Sequence, residues 1–140
     1  MLGAFMNLAK PGDYFATMAY VSPSPAVDKE IAAIRKAVIE RYGVATTFGY
    51  GPRCLHSTGQ LHKGGPNTGL FIQITQEHRE PVAIPGAPYD FAQLNQAQYL
   101  GDFQSLEAHG RRVIRVHLAG QDPIGAIEAL RQEIVAAIAR

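Results

Sequence analysis

Asp13-Tyr14-Phe15-Ala16-Thr17-Met18-Ala19-Tyr20-Val21 is rich in aromatic and apolar residues and shows no alternation of apolar with polar. A strand with one solvated face alternates. A strand buried on both faces does not, and that pattern belongs to parallel sheets covered by helices on either side. The neighbouring segments agree. Ser22-Pro23-Ser24-Pro25 is a turn that a helix cannot easily cross. Beyond it, Val27, Ile31, Ile34, Val38 and Tyr42 recur at spacings of four and three, which predicts an amphipathic helix. Ser24 is its expected N-cap, Pro25 its first residue and Gly43 its stop. Val44 to Tyr50 is β-branched and aromatic and reads as the next strand.

Further along, Leu70 to Thr75 reads as a strand with Leu70, Ile72 and Ile74 on one face and Gln73 and Thr75 on the other. The stretch from Gln76 to Arg79 is polar, Pro81 to Ile84 suits a short edge strand, and Asp90 caps a helix beginning at Phe91. Phe91, Leu94, Ala97, Leu100, Phe103 and Leu106 step by three as an apolar stripe, with a bend or restart expected at Gly101-Asp102. Arg112 to Leu118 is the last strand, and Asp122-Pro123 opens a final helix with Ile124, Ile127, Leu130, Ile134 and Ile138 facing inward. Strands alternating with helices predict one α/β domain over residues 1–140, a three-layer α/β/α sandwich on a mostly parallel sheet of four or five strands.

Composition narrows the function. Hydrophobic residues make up 46% of the chain and charged residues 18%, within the range of globular domains. A net charge of +1 gives no electrostatic case for nucleic acid or an anionic membrane surface. The single cysteine, Cys54, excludes an internal disulfide framework, and a reducing, cytoplasmic compartment is expected. Met1 to Ala9 is apolar without a basic leader and reads as a short helix covering a core or a subunit contact. No G-x-G-x-x-G run marks a dinucleotide site, and His109 and His117 lack ligand-spaced neighbours for zinc, so no cofactor or metal is expected. Arg111, Arg112 and Arg115 read as a solvated strand face, and Tyr14, Phe15, Tyr20 and Phe71 as core.

The stretch least like scaffold is Leu55 to Gly65, which follows Thr46 to Arg53 and runs into Pro66 to Gly69; together they collect His56, His62, Ser57, Thr58, Gln60, Arg53, Lys63 and many glycines between two apolar strands. Such segments hold ligands at the carboxyl ends of α/β strands. If Arg53 to Lys63 is helical, His56 and Gln60 share a face, and His62 points well away from His56. Ser57 and Thr58 then lie in the first turn, where backbone N–H groups and hydroxyls can hold an anion such as phosphate. His56 beside that anion is the general acid–base candidate, because imidazole titrates near neutrality. Arg53 and Lys63 are surface charges or phosphate ligands, and His62 reads as a solvated residue at the helix end. A catalytic Cys54 would need a neighbour that lowers its pKa, and none is evident in the sequence.

The run Gly49-Tyr50-Gly51-Pro52-Arg53-Cys54-Leu55-His56-Ser57-Thr58-Gly59-Gln60-Leu61-His62-Lys63-Gly64-Gly65-Pro66-Asn67-Thr68-Gly69 resembles the isomerase portion of bacterial transaldolase–phosphoglucose isomerase fusion proteins. Similarity continues from Tyr89 to Leu118, through AQYLGDFQSLEAHGRRVIRVHL. The resemblance implies a sugar isomerase (SIS-type) sandwich that acts on a phosphosugar, interconverting glucose 6-phosphate and fructose 6-phosphate. By the match His56 takes the ring-opening position and Gln60 a neighbouring one. The family's glutamate base lies upstream of the resembling region, Glu77 and Glu80 match no catalytic motif, and the final helix holds Arg131 and Arg140 rather than a lysine. The chain therefore reads as the second half of an isomerase unit, inactive alone, with an upstream half or a transaldolase domain as partner. Homodimerisation is expected as well, since such isomerases commonly share site residues between subunits. The alternative is a stand-alone phosphosugar-binding or regulatory module without catalysis.

Overall fold

The structure, a computed structural model, describes residues 1–77 and 81–139. Its element order is α1 (Leu2–Met6), β1 (Tyr14–Tyr20), α2 (Pro25–Tyr42), β2 (Ala45–Tyr50), α3 (Leu55–Gly64), β3 (Gly69–Gln76), α4 (Phe91–Ala108), β4 (Arg112–Leu118) and α5 (Pro123–Ile138). The four strands pair entirely in parallel in the order β2-β1-β3-β4. β1 lies inside the sheet, and six of its seven residues are buried, as its unalternating composition requires.

One apolar layer packs α1, α2 and α5 onto the sheet through Phe15, Ile31, Ile72 and Ile134. The other is smaller and gathers Met18, Tyr20, Phe71, Tyr99 and Leu106 beneath α3 and α4. The first connection thus runs one way with α2 on one face, and the next two run the other way with α3 and α4 on the opposite face. This is the doubly wound pattern that right-handed crossovers produce. No helix among the described residues is long and apolar enough to cross a membrane.

The caps explain where the helices begin and end. Ser24 Oγ accepts from the Val27 N–H with Pro25 behind it, and Gly43 closes α2 in the left-handed region at φ 64°. Asp90 and Gln93 form a reciprocal capping box, and Asp122 accepts from the Ile124 N–H.

Several expectations need correction. Pro81 to Ile84 forms no strand; Ala83 makes a single antiparallel bridge to Asp90. Of the polar stretch from Gln76 to Arg79, His78 and Arg79 lie outside the described residues, as do Glu80 and Arg140. α4 is continuous through Gly101, and a Cβ there would meet nothing within 4 Å. Its buried residues are Tyr99 and Leu106, not the whole stripe of threes, and Phe91 is exposed. A three-residue step lags the helix by about 60°, so six such positions sweep most of the way round it. Ile124 is exposed as well, at the mouth of the first turn of α5.

The arginines before and in β4 are tertiary anchors rather than a solvated row. Arg112 pairs with Asp13 at 2.8 Å, and its guanidinium beside that carboxyl holds the Asp13 pKa below the usual carboxylate range. Arg111 donates to the carbonyls of His62, Lys63 and Gly65 at 2.7–3.0 Å. Those carbonyls would otherwise end α3 unsatisfied, so a side chain from the far edge of the sheet caps it. Only Arg115 stays exposed, over the rings of Tyr99 and Phe103.

Candidate functional site

β2 is an edge strand, and its residues from Thr46 onward are only half buried. A cavity of about 660 Å³ opens along it, between α2 on one side and the start of α3 on the other. Arg35 reaches from α2 onto the strand, donating through Nε to Thr46 Oγ1 at 3.0 Å and through its terminal nitrogen to Thr46 O at 3.1 Å. Arg53 enters from the turn before α3, with its guanidinium 6.0 Å from the centre of the Tyr50 ring. Among the described residues neither arginine forms an ion pair. The cavity wall adds the hydroxyls of Thr17, Thr47, Ser57 and Thr58.

One carboxylate, Asp28, shares the cavity and accepts a short hydrogen bond from the Tyr50 hydroxyl. Desolvation first, and that bond next, push the Tyr50 phenol up to about 12, so it remains the donor at neutral pH. The strand passes close to the helix here: a Cβ on Gly49 would sit 2.4 Å from Cys54 Cβ, which only glycine avoids. Burial pushes the Cys54 thiol up, with Asp102 adding to the effect, so this thiol is not an activated nucleophile.

α3 separates the expected site residues by helical phase. Cys54, Thr58 and His62 follow one another at i, i+4 and face the sheet, and the cavity gathers Arg53, Ser57 and Thr58 together with His62. His56 and Gln60 share the opposite, exposed face and do not line the cavity. Lys63 turns aside to pair with Asp102 at 3.4 Å, and Asp102 also accepts from Tyr20 Oη at 2.6 Å.

The first turn is not a cradle of free N–H groups either. Residues 51–54 already turn, so Leu55 and His56 donate to Pro52 and Arg53 carbonyls, and Thr58 N–H to Cys54 O at 3.1 Å. The Ser57 and Thr58 hydroxyls also donate to Cys54 O, at 3.0 and 2.8 Å, which leaves their lone pairs to act as acceptors. Charge for an anion comes from the two arginines instead.

His62 is the larger correction. It is 2% exposed rather than solvated. Its Nδ1 lies 2.9 Å from Tyr14 Oη, its ring stacks on Tyr14, and Phe71 meets it edge-on at 4.9 Å. Burial, with the Lys63 charge second, holds its pKa below the ordinary 6.5. The folded protein therefore binds fewer protons here than the unfolded chain. This contribution to stability is complete above about pH 6.5 and declines as pH falls through that value toward the folded pKa. Melting temperatures measured from neutral to mildly acidic pH should fall more steeply for the wild type than for His62→Gln, which cannot titrate. Parallel profiles would show that His62 carries no such linkage.

The cavity residues Asp28 and Arg35 were not singled out from sequence, because they lie on α2 rather than in the glycine-rich run, and Thr47 and Tyr50 were read only as part of a strand. Comparison with known proteins adds the fold and no activity. No protein-family model matches the chain. No curated protein matches it either. Among solved structures it is similar to the crystal structure of a hypothetical protein, TT0462, from Thermus thermophilus, with a TM-score of 0.82 over 99% of this chain at 20% identity. The chain spans 37% of that protein's length, and at this identity the likeness establishes a shared α/β/α architecture alone.

Proposed function

We propose that this chain forms one half of a phosphosugar isomerase site and holds the substrate's phosphate in the cavity beside β2. The observation that carries the reading is the pair of guanidinium groups, Arg35 and Arg53, which line the cavity without ion-pair partners among the described residues. Guanidinium forks match phosphate oxygens in charge and geometry. The cavity lies toward the carboxyl end of β2, where open α/β sheets receive ligands.

Aldose–ketose isomerisation also needs a base to move a proton between C1 and C2. Among the described residues lining the cavity the one carboxylate, Asp28, is engaged by Tyr50, and His62 is buried with its Nδ1 engaged by Tyr14. The base then comes from outside the cavity, from an upstream isomerase half or from a second copy closing over α3. His56 stands exposed on the face such a partner would cover, where it can serve ring opening. The proposal places the reaction in the cytoplasm, in keeping with the lone, unactivated thiol of Cys54.

The orientation of His56 away from the cavity favours a second reading, a phosphosugar-binding module without catalysis. Both readings require the same anion contact. Arg53→Ala, an exposed position, should leave the melting temperature within a degree or so and weaken glucose 6-phosphate binding about tenfold, a loss of about 1.4 kcal/mol. Calorimetric titration decides this, and unchanged affinity would remove the phosphate from this cavity.

A further inference from the structure

At the carboxyl ends of β3 and β4, away from the arginine-lined cavity, lies a crevice of about 390 Å³. It is lined by Gln76, the last residue of β3, which is 7% exposed and whose Nε2 makes no hydrogen bond among the described residues. A buried amide left without an acceptor is costly and rare, and where one lines a cavity it points to a ligand. The other polar groups there are already aimed. The buried Thr75 hydroxyl lies 2.9 Å from His117 Nδ1 and fixes that ring, so Nε2 is the nitrogen left for a ligand. Gln93 uses its Oε1 in the α4 capping box, leaving its NH2 group to donate. Gln96 and Glu77 complete the rim.

We propose that this crevice is a second ligand site, specific for a neutral polyhydroxylated molecule such as a free monosaccharide. Three amides and an imidazole offer donors and acceptors in neighbouring positions, which suits vicinal hydroxyls. Glu77 and Asp90 are the charged residues among those described as lining it, and their carboxylates offer no charge complement to the phosphate that the other cavity attracts. Gln76 would supply the central donor, Glu77 accept from paired hydroxyls, and Gln93 and Gln96 fix orientation. The site does not depend on the phosphosugar reading, because it shares no residue with that cavity.

The test is NMR titration of the full chain with glucose, fructose, mannose and galactose in turn, with inorganic phosphate as the anionic control. At least one sugar should move the Gln76 side-chain amide and the His117 signals while Arg53 and Ser57 stay still, and phosphate should do the reverse. Gln76→Leu should abolish the sugar-induced shifts at His117. The same variant should raise the melting temperature by a few degrees, because it removes an unsatisfied buried donor. Absence of shifts with all four sugars, or equal response to phosphate, would overturn the proposal. A lower melting temperature for Gln76→Leu would also do so, since the amide would then have a structural partner.

Discussion

Purified alone, the 140-residue chain should isomerise glucose 6-phosphate negligibly, and supplying the complementary isomerase half that the proposal invokes should raise turnover by at least about 10²–10⁴-fold. The expectation follows from the half-site proposal and from the groups the cavity holds. Its carboxylate is engaged by a phenol, and its histidine is buried against Tyr14 and Phe71. A phosphate clamp without a base positions substrate and leaves the C2 proton in place. In the reconstituted enzyme, His56→Ala should lower turnover on the closed-ring substrate more than on an open-chain analogue. Equal losses would take ring opening away from His56. Robust turnover by the isolated chain would place a base within it, contrary to the proposal.

The largest expected loss of stability is at Phe71. Phe71→Ala should cost about 3–5 kcal/mol and lower the melting temperature by about 10 °C or more. Phe71 is wholly buried in the layer under α3 and α4, where six of the described residues form the buried cluster, so few buried neighbours are at hand to refill its volume. It also walls in His62 at 4.9 Å, so the variant should let the His62 pKa rise toward its ordinary value. Calorimetry and NMR titration measure the two effects together. Ile39→Ala, at a position 46% exposed, is the control and should change little. A cost below about 1 kcal/mol at Phe71 would mean the layer repacks freely, contrary to the close packing described.

What the sequence carried was mostly local. The strand at Tyr14–Tyr20 is unalternating because it is an inner strand, and Ser24, Gly43, Asp90 and Asp122 act through neighbours a few residues away. The strand order was not legible, since it depends on which way each crossover turns. The phase of α3 was half legible. Six residues of separation put His56 and His62 on different faces, but both are polar, and composition did not say which faced inward. Gly59, three residues before His62, is buried on the same helix, but a Cβ there would meet only the Leu55 side chain of that helix, so it gave no signal of a close approach. Arg111 was illegible for another reason: its acceptors are backbone carbonyls more than forty positions away, brought close only by the finished sheet. Arg35 was hidden in the same way, as one of several polar residues on α2 until Thr46 of the edge strand came within reach.

Backbone NMR of the 15.2 kDa chain, titrated with glucose 6-phosphate and separately with glucose, tests the phosphate assignment most directly. The account predicts that glucose 6-phosphate, and not glucose, shifts Thr47, Gly49, Tyr50, Arg53, Ser57 and Thr58, and that Arg53→Ala suppresses the response. Shifts confined to the carboxyl ends of β3 and β4, or identical shifts with both sugars, would contradict it.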